Sequence, residues 1–154
     1  MVKIKPKTFV DQTLTGTCPS HARTDVRTRD VEVTIDEPVS RGGTNLGLTP
    51  TETVIAALVG CTNVIANKIA HRDGIEVRAF SVEAVSTFDR RGVTLAREID
   101  IPFPKIVLTV NITTPAGADQ VEHLKTELRR FCPLAKMLSQ SGTRIEEVWN
   151  VTGA

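Results

Sequence analysis

Aromatic side chains and an excess of charge of either sign are what this sequence has little of. Its 154 residues include five Phe, one Trp and no Tyr, and 19 basic residues are balanced by 18 acidic ones. A chain without excess positive charge neutralises few phosphates, and so few rings offer no stacking platform for bases. We therefore expect no nucleic-acid partner.

Long apolar runs are missing as well. No uninterrupted stretch of about 18 apolar residues occurs, which predicts that the protein does not span a membrane. Residues 1–8 carry charge but no apolar centre, so they do not have the form of a signal peptide. We therefore expect a cytoplasmic protein. Because domains most often contain about 100–150 residues, we also expect one domain over residues 1–154.

β-Branched residues are abundant, and they favour strands because their stiff side chains pack well on a pleated surface. Alternating apolar and polar residues predict strands at 31–35, 77–85, 105–113 and 143–151. On the third of these, Ile106, Leu108, Val110 and Ile112 share one face. With so few rings in the chain, the core must be mainly aliphatic.

A helix over residues 50–73 has clear signals at both ends. Thr49 and Glu52 form the sequence pattern of a capping box around Pro50, and Gly74 follows the last turn. Apolar residues recur at helical spacing and extend beyond a single stripe. We expect this helix to be buried on most of its sides.

A second helix is predicted from Gly117, and Cys132-Pro133 separates it from a short third helix that ends before Gly142. Helical spacing gives the second helix an inner face, which consists of Val121, Leu124, Leu128 and Phe131. Trp149, in the last strand, is expected in the core or at a dimer interface.

The three cysteines do not indicate a disulfide scaffold, because their number is odd and the chain looks cytoplasmic. Zinc is also disfavoured, since Cys18 and His21 form a lone C-x-x-H without a second pair. Cys61 lies mid-helix and reads either as a small buried apolar residue or as a reactive thiol. Cys132 is predicted to be the N-cap of the third helix, where free amides lower a thiol pKa, or else a packed residue at a helix corner.

Taken together, Cys61 and Cys132 suggest a pair in which one thiol attacks an oxidant and the other resolves the sulfenic acid as a disulfide. Residues 42–62, from Gly42-Gly43 through Pro50-Thr51-Glu52 to Cys61-Thr62, resemble the OsmC/Ohr family, and so does the distant Cys132-Pro133. These are osmotically inducible protein C and the organic hydroperoxide resistance proteins. The resemblance covers essentially the whole chain, and its Thr51-Glu52 order is similar to a less characterised OsmC-like branch.

The resemblance implies an α+β fold in which antiparallel sheets wrap central buried helices in an intertwined homodimer. It implies a thiol-dependent peroxidase that reduces organic hydroperoxides, with Cys61 attacking the peroxide and Cys132 resolving it. A dithiol or a lipoylated protein would reduce the disulfide, and no metal or organic cofactor is implied. Two alternatives stay open: a non-catalytic protein that binds a small molecule, and a redox sensor whose disulfide changes its binding to a partner.

The family also supplies an Arg, held by a Glu, that stabilises the attacking thiolate. By this resemblance Glu52 is the carboxylate and Arg41 the cation, with Arg23 as the alternative cation. Family members generally carry the Glu directly after the proline, where this chain has Thr51. The plainer interpretations are a capping residue for Glu52 and a solvated loop residue for Arg41.

Overall fold

The computed structural model describes residues 8–153, in two compact units that divide the chain between Thr53 and Val54. The expectation that residues 1–8 are not a signal peptide concerns a segment of which only Thr8 is among the described residues. The elements, in chain order, are β1 (Thr15–Thr17), β2 (Arg23–Thr28), β3 (Val31–Asp36), α1 (Pro50–Asp73), β4 (Ala79–Thr87), β5 (Lys105–Thr113), α2 (Ala118–Phe131), α3 (Pro133–Gln140) and β6 (Arg144–Thr152). This mixture confirms the α+β class.

The first unit contains an antiparallel sheet in the order β1-β2-β3, followed by a glycine-rich loop, residues 37–49, that contains Gly42, Gly43 and Gly47. The loop passes very close to the end of β3. A Cβ on Gly43 would lie 1.8 Å from the carbonyl oxygen of Glu37, so only glycine fits at this position. The close approach fixes the path of the chain from β3 towards α1.

The second unit contains a sheet in the order β4-β5-β6, which corrects one expectation. Strands β4 and β5 pair antiparallel, but β5 and β6 pair parallel, so this sheet is mixed rather than antiparallel. The reason is connectivity: α2 and α3 lie between β5 and β6 and form a crossover that returns the chain in the same direction.

The core of the second unit is aliphatic, as predicted. The four inward residues of β5, at 106, 108, 110 and 112, are all at most 3% exposed, and Trp149 packs at the edge of the same cluster. Phe131 is a correction, because its side chain is 51% exposed. The inner stripe of α2 continues from Leu128 to Cys132, four residues later, and leaves Phe131 outside.

Helix α1 begins and ends where the sequence predicts, but it is not buried on most sides. One stripe, which includes Leu58, Ala66 and Ile69, packs in the core of the second unit. The opposite face is exposed and apolar, with Ala57, Gly60 and Val64 along it. These residues lie three and four positions apart, so successive turns present uncharged surface to solvent.

The expectation that no segment is suited to a membrane needs a correction for α1. By length and composition alone, α1 could cross a bilayer, with a mean hydropathy of 1.5 over 18 residues. The sequence test missed it because polar residues interrupt the apolar run. The core helix of a soluble protein can have the same composition, and one stripe of α1 packs in the core of the second unit.

Candidate active site

Two cysteines that are far apart in sequence lie side by side in the second unit. The Sγ atoms of Cys61, in the middle of α1, and Cys132, between α2 and α3, are 3.2 Å apart, with the Cys132 thiol as the donor. Both are free thiols. The structure therefore brings together the two residues that the sequence predicts as a reactive pair.

The position of Cys132 follows from the proline after it. Pro133 has no N–H and restricts the preceding residue to extended conformations, so α2 ends and α3 begins at this point. Cys132 has φ −71° and ψ 109°, and its N–H still donates to the Leu128 carbonyl at 2.9 Å. The same residue closes α2 and opens α3, and this bend directs its side chain towards α1.

The two thiols differ in their access to solvent. Cys132 is 1% exposed and belongs to the hydrophobic core, whereas Cys61 is partly exposed and packs against the outside of that core. A small peroxide therefore reaches the sulfur of Cys61 more readily than that of Cys132. The arrangement favours Cys61 as the attacking thiol.

The expectation that the helix N-terminus lowers the pKa of Cys132 is wrong. Burial raises this pKa to about 11, and the neighbouring Cys61 adds to the increase, while the amides of Ala135 and Leu134 act in the opposite direction. The side chain makes no capping hydrogen bond to those amides, because its thiol is directed at Cys61. Desolvation therefore outweighs the helix N-terminus.

The geometry is suited to forming a disulfide. An S–S bond is about 2.0 Å long, so the sulfurs must approach by roughly 1.2 Å from their present separation. Such a displacement is within the reach of a side-chain rotation. The pair can thus be oxidised without a rearrangement of the elements that carry it.

Glu52 and Arg41 belong to the first unit, where the plainer interpretation of Glu52 is confirmed. Glu52 Oε2 accepts a 2.8 Å hydrogen bond from the N–H of Thr49, and Thr49 Oγ1 accepts one from the N–H of Glu52. This reciprocal capping box lowers the pKa of Glu52, and Arg41 adds a smaller electrostatic contribution in the same direction. Arg41 itself pairs with Glu37, Nε to Oε2, at 2.7 Å.

Arg23 and Cys18, also in the first unit, are engaged locally. The guanidinium of Arg23 binds both carboxylate oxygens of Asp25, at 2.9 and 3.0 Å. The thiol of Cys18 is exposed and lies 3.7 Å from the hydroxyl oxygen of Thr24. Among residues 8–153, no group of three or more His, Cys, Asp or Glu side chains is placed to hold a metal ion.

Sequence reasoning missed Asp36, a fully buried carboxylate at the end of β3. Its Oδ2 accepts hydrogen bonds from the Thr44 hydroxyl, the Thr44 N–H and the Leu46 N–H, and these bonds lower its pKa. Asp36 thereby holds the glycine-rich loop. The available signal was an Asp that ends a strand directly before a Gly- and Thr-containing loop, a setting in which Asp commonly binds backbone amides.

Comparisons with known proteins identify the family and the fold. The family model described as OsmC-like protein matches residues 43–148. No curated protein sequence matches the chain. Among solved structures, an OsmC-like protein of Mycoplasma pneumoniae superposes with a TM-score of 0.73 at 15% identity, covering 94% of this chain and 98% of that one.

Two further solved structures are named organic hydroperoxide resistance proteins. The one from Legionella pneumophila has a TM-score of 0.66 at 13% identity, with 95% of this chain and 99% of that chain covered. The one from Elizabethkingia anophelis has a TM-score of 0.64 at 18% identity, with 97% and 100% covered. At these identities the superpositions establish the shared fold.

Proposed function

Because the chain belongs to the OsmC-like family, we propose that it is a thiol-dependent peroxidase that reduces organic hydroperoxides. The observation that carries the proposal is the 3.2 Å separation of a partly exposed and a buried thiol, Cys61 and Cys132. Two structural neighbours are named for resistance to organic hydroperoxides, which supports the substrate class.

The reaction proceeds in two steps. The thiolate of Cys61 attacks one peroxide oxygen, the O–O bond breaks, and the alcohol leaves after taking a proton, so that Cys61 becomes a sulfenic acid. The thiol of Cys132 then attacks the Cys61 sulfur, and water leaves as the disulfide forms. The short distance between the sulfurs favours this second step over further oxidation of Cys61.

In this proposal Arg41 is the cation that stabilises the Cys61 thiolate and Glu52 is the carboxylate that acts on Arg41. One observation supports it: the charge of Arg41 contributes to lowering the pKa of Glu52. Arg41→Ala is expected to slow the oxidation of Cys61, and Arg23→Ala is the control. If Arg23→Ala slows the oxidation of Cys61 and Arg41→Ala does not, Arg23 is the stabilising cation instead.

We propose a cytoplasmic homodimer that is regenerated by a dithiol or a lipoylated protein. Support for the dimer comes from apolar surface that a single chain leaves exposed. In the second unit this surface is the face of α1 that carries Val64, and in the first unit it includes Val31 and Val33, two residues apart on β3 and about half exposed. Surface of this kind is typical of an interface between subunits.

The experiment measures free thiols before and after one equivalent of cumene hydroperoxide. We expect the wild type to fall from three thiols per chain to one, and the Cys18→Ser control to fall from two to none. Cys61→Ser should keep its two thiols at the catalytic time scale. Cys132→Ser should lose one and yield a sulfenic acid that dimedone traps.

Turnover separates the proposal from its rivals. A peroxidase consumes many equivalents of hydroperoxide when a dithiol is supplied. If the disulfide forms but only one equivalent is consumed, the protein acts as a redox sensor. If no thiol is lost within seconds to minutes, the peroxidase proposal is wrong and binding of a small molecule becomes the better account.

A further inference from the structure

We propose that the reductant attacks the sulfur of Cys61 in the disulfide, so that the transient mixed disulfide forms on Cys61 and Cys132 departs as the leaving thiol. This inference rests on the proposed function, and it assigns a second role to Cys61. The residue that first attacks the peroxide later becomes the electrophile that the reductant's thiolate attacks.

Access is the first argument. A thiolate must approach the sulfur it attacks along the line of the S–S bond, from the side away from the leaving sulfur. Cys132 is 1% exposed and lies among core residues that include Leu128 and Leu138, so this approach to its sulfur crosses packed side chains. Cys61 is partly exposed at the edge of the same core.

The leaving group is the second consideration, and it acts against the first. A thiol with a high pKa is a poor leaving group, and burial raises the pKa of Cys132 to about 11. This property slows the attack on Cys61 without opening any path to Cys132. Access therefore decides which sulfur is attacked, and the leaving group affects the rate.

The start of α3 offsets part of that cost. The amides of Ala135 and Leu134 act on the Cys132 sulfur in the direction that favours its negative charge. As the S–S bond breaks, charge develops on Cys132 at a helix N-terminus, where free N–H groups and the helix dipole stabilise it. The departing thiolate then takes a proton and returns to its neutral buried state.

The step balances with a dithiol as the reductant. Its first thiolate forms a bond to Cys61 Sγ, and the electron pair of the S–S bond goes to Cys132 Sγ, which takes a proton. Its second thiolate attacks the reductant's own sulfur in the mixed disulfide and releases Cys61. The dithiol is oxidised by two electrons to its disulfide, and the protein disulfide is reduced to two thiols.

The test maps the mixed disulfide with a monothiol, which cannot complete the second exchange. Cys18→Ser protein is oxidised with diamide, exposed briefly to 2-mercaptoethanol, quenched in acid, blocked with N-ethylmaleimide and digested with trypsin. Cleavage after Arg41, Lys68, Arg130 and Lys136 separates the two cysteines into the peptides 42–68 and 131–136. Mass spectrometry then reports which label each peptide carries.

We expect mercaptoethanol on the Cys61 peptide and maleimide on the Cys132 peptide in at least a tenfold excess at the earliest times. The opposite distribution, or equal labelling of the two peptides, overturns the inference. Because diamide forms the disulfide without a peroxide, the mapping remains valid if the protein has no peroxidase activity. Failure of diamide to link Cys61 to Cys132 would overturn both proposals.

Discussion

Arg72, in the last turn of α1, donates a 3.0 Å hydrogen bond from its Nη2 to Oε2 of Glu127, in the second half of α2. The Glu127 side chain is 9% exposed, whereas that of Arg72 is 47% exposed. Arg130 binds the other carboxylate oxygen, and both guanidinium groups lie within 6 Å of the Phe131 ring centroid. The carboxylate thus connects two helices of the second unit.

Replacing Glu127 should destabilise the protein more than replacing a carboxylate on the outer face of the same helix. Glu127→Gln leaves a buried group that no longer compensates two cations, whereas the control Glu122→Gln alters a side chain that is 64% exposed. Urea unfolding at pH 7 should give a lower midpoint for Glu127→Gln than for Glu122→Gln. Equal midpoints would contradict the role assigned to this ion pair.

The difference in stability between the wild type and Glu127→Gln should decrease at acidic pH. Arg72 is the main cause of the lowered pKa of Glu127, so the ionised carboxylate stabilises the fold above its usual pKa of 4.5. This stabilisation is lost as the pH falls through the lower value in the folded state. The gap between the wild type and Glu127→Gln should therefore narrow below about pH 4.5 in urea titrations.

Gly43→Ala should be severely destabilising. The added Cβ would lie 1.8 Å from a backbone carbonyl oxygen, and the loop cannot move without breaking its bonds to Asp36. We expect a loss of more than about 2 kcal/mol in the free energy of unfolding. Gly92→Ala is the control, because its Cβ would make only an ordinary 3.6 Å contact with Ile99, and it should stay within about 1 kcal/mol of the wild type.

Alkaline pH should destabilise the reduced protein through Cys132. A thiol whose pKa is higher in the folded state stabilises the fold below its unfolded pKa, here 9.0, and loses that contribution as the pH rises towards about 11. In the presence of a reductant, the unfolding free energy of the wild type should fall more steeply between pH 9 and 11 than that of Cys132→Ala. Cys18→Ala, which removes an exposed thiol, is the control variant, and the absence of Tyr removes one competing titration.

The proposed dimer predicts that a charge on the exposed face of α1 disrupts assembly. Val64→Asp places a carboxylate on that face and should convert the wild-type dimer to monomer in sedimentation velocity experiments. Val93→Asp alters a loop residue that is 64% exposed and should leave the dimer intact. A wild-type protein that sediments as a monomer would refute the dimer itself.

The sequence predicts those elements whose signals are local. The capping pattern of Thr49 and Glu52 and the stop at Gly74 locate α1 correctly, since both depend on residues within one turn of each helix end. The alternation in residues 105–113 predicts β5 with its buried face, because a period of two is visible in a single strand. Pro133 likewise identifies the break between α2 and α3.

The remaining features depend on which parts of the chain meet in space. The parallel pairing of β6 follows from the crossover, and the exposure of Phe131 follows from the burial of Cys132 in its place. The pKa of Cys132 depends on a balance between desolvation and nearby amides that position along a helix does not determine. The role of Asp36 could not be predicted, because its hydrogen-bond partners lie eight and ten residues away in the loop that it holds.

The contact between α1 and the junction of α2 and α3 also has a consequence for unfolding. Cys61 and Cys132 are 71 residues apart, so a bond between them closes nearly half of the chain into a loop. Closing a loop of that size removes conformational entropy from the unfolded chain, worth about 4 kcal/mol. The oxidised protein, which awaits its reductant, would then resist heat and proteolysis better than the form that is ready to react.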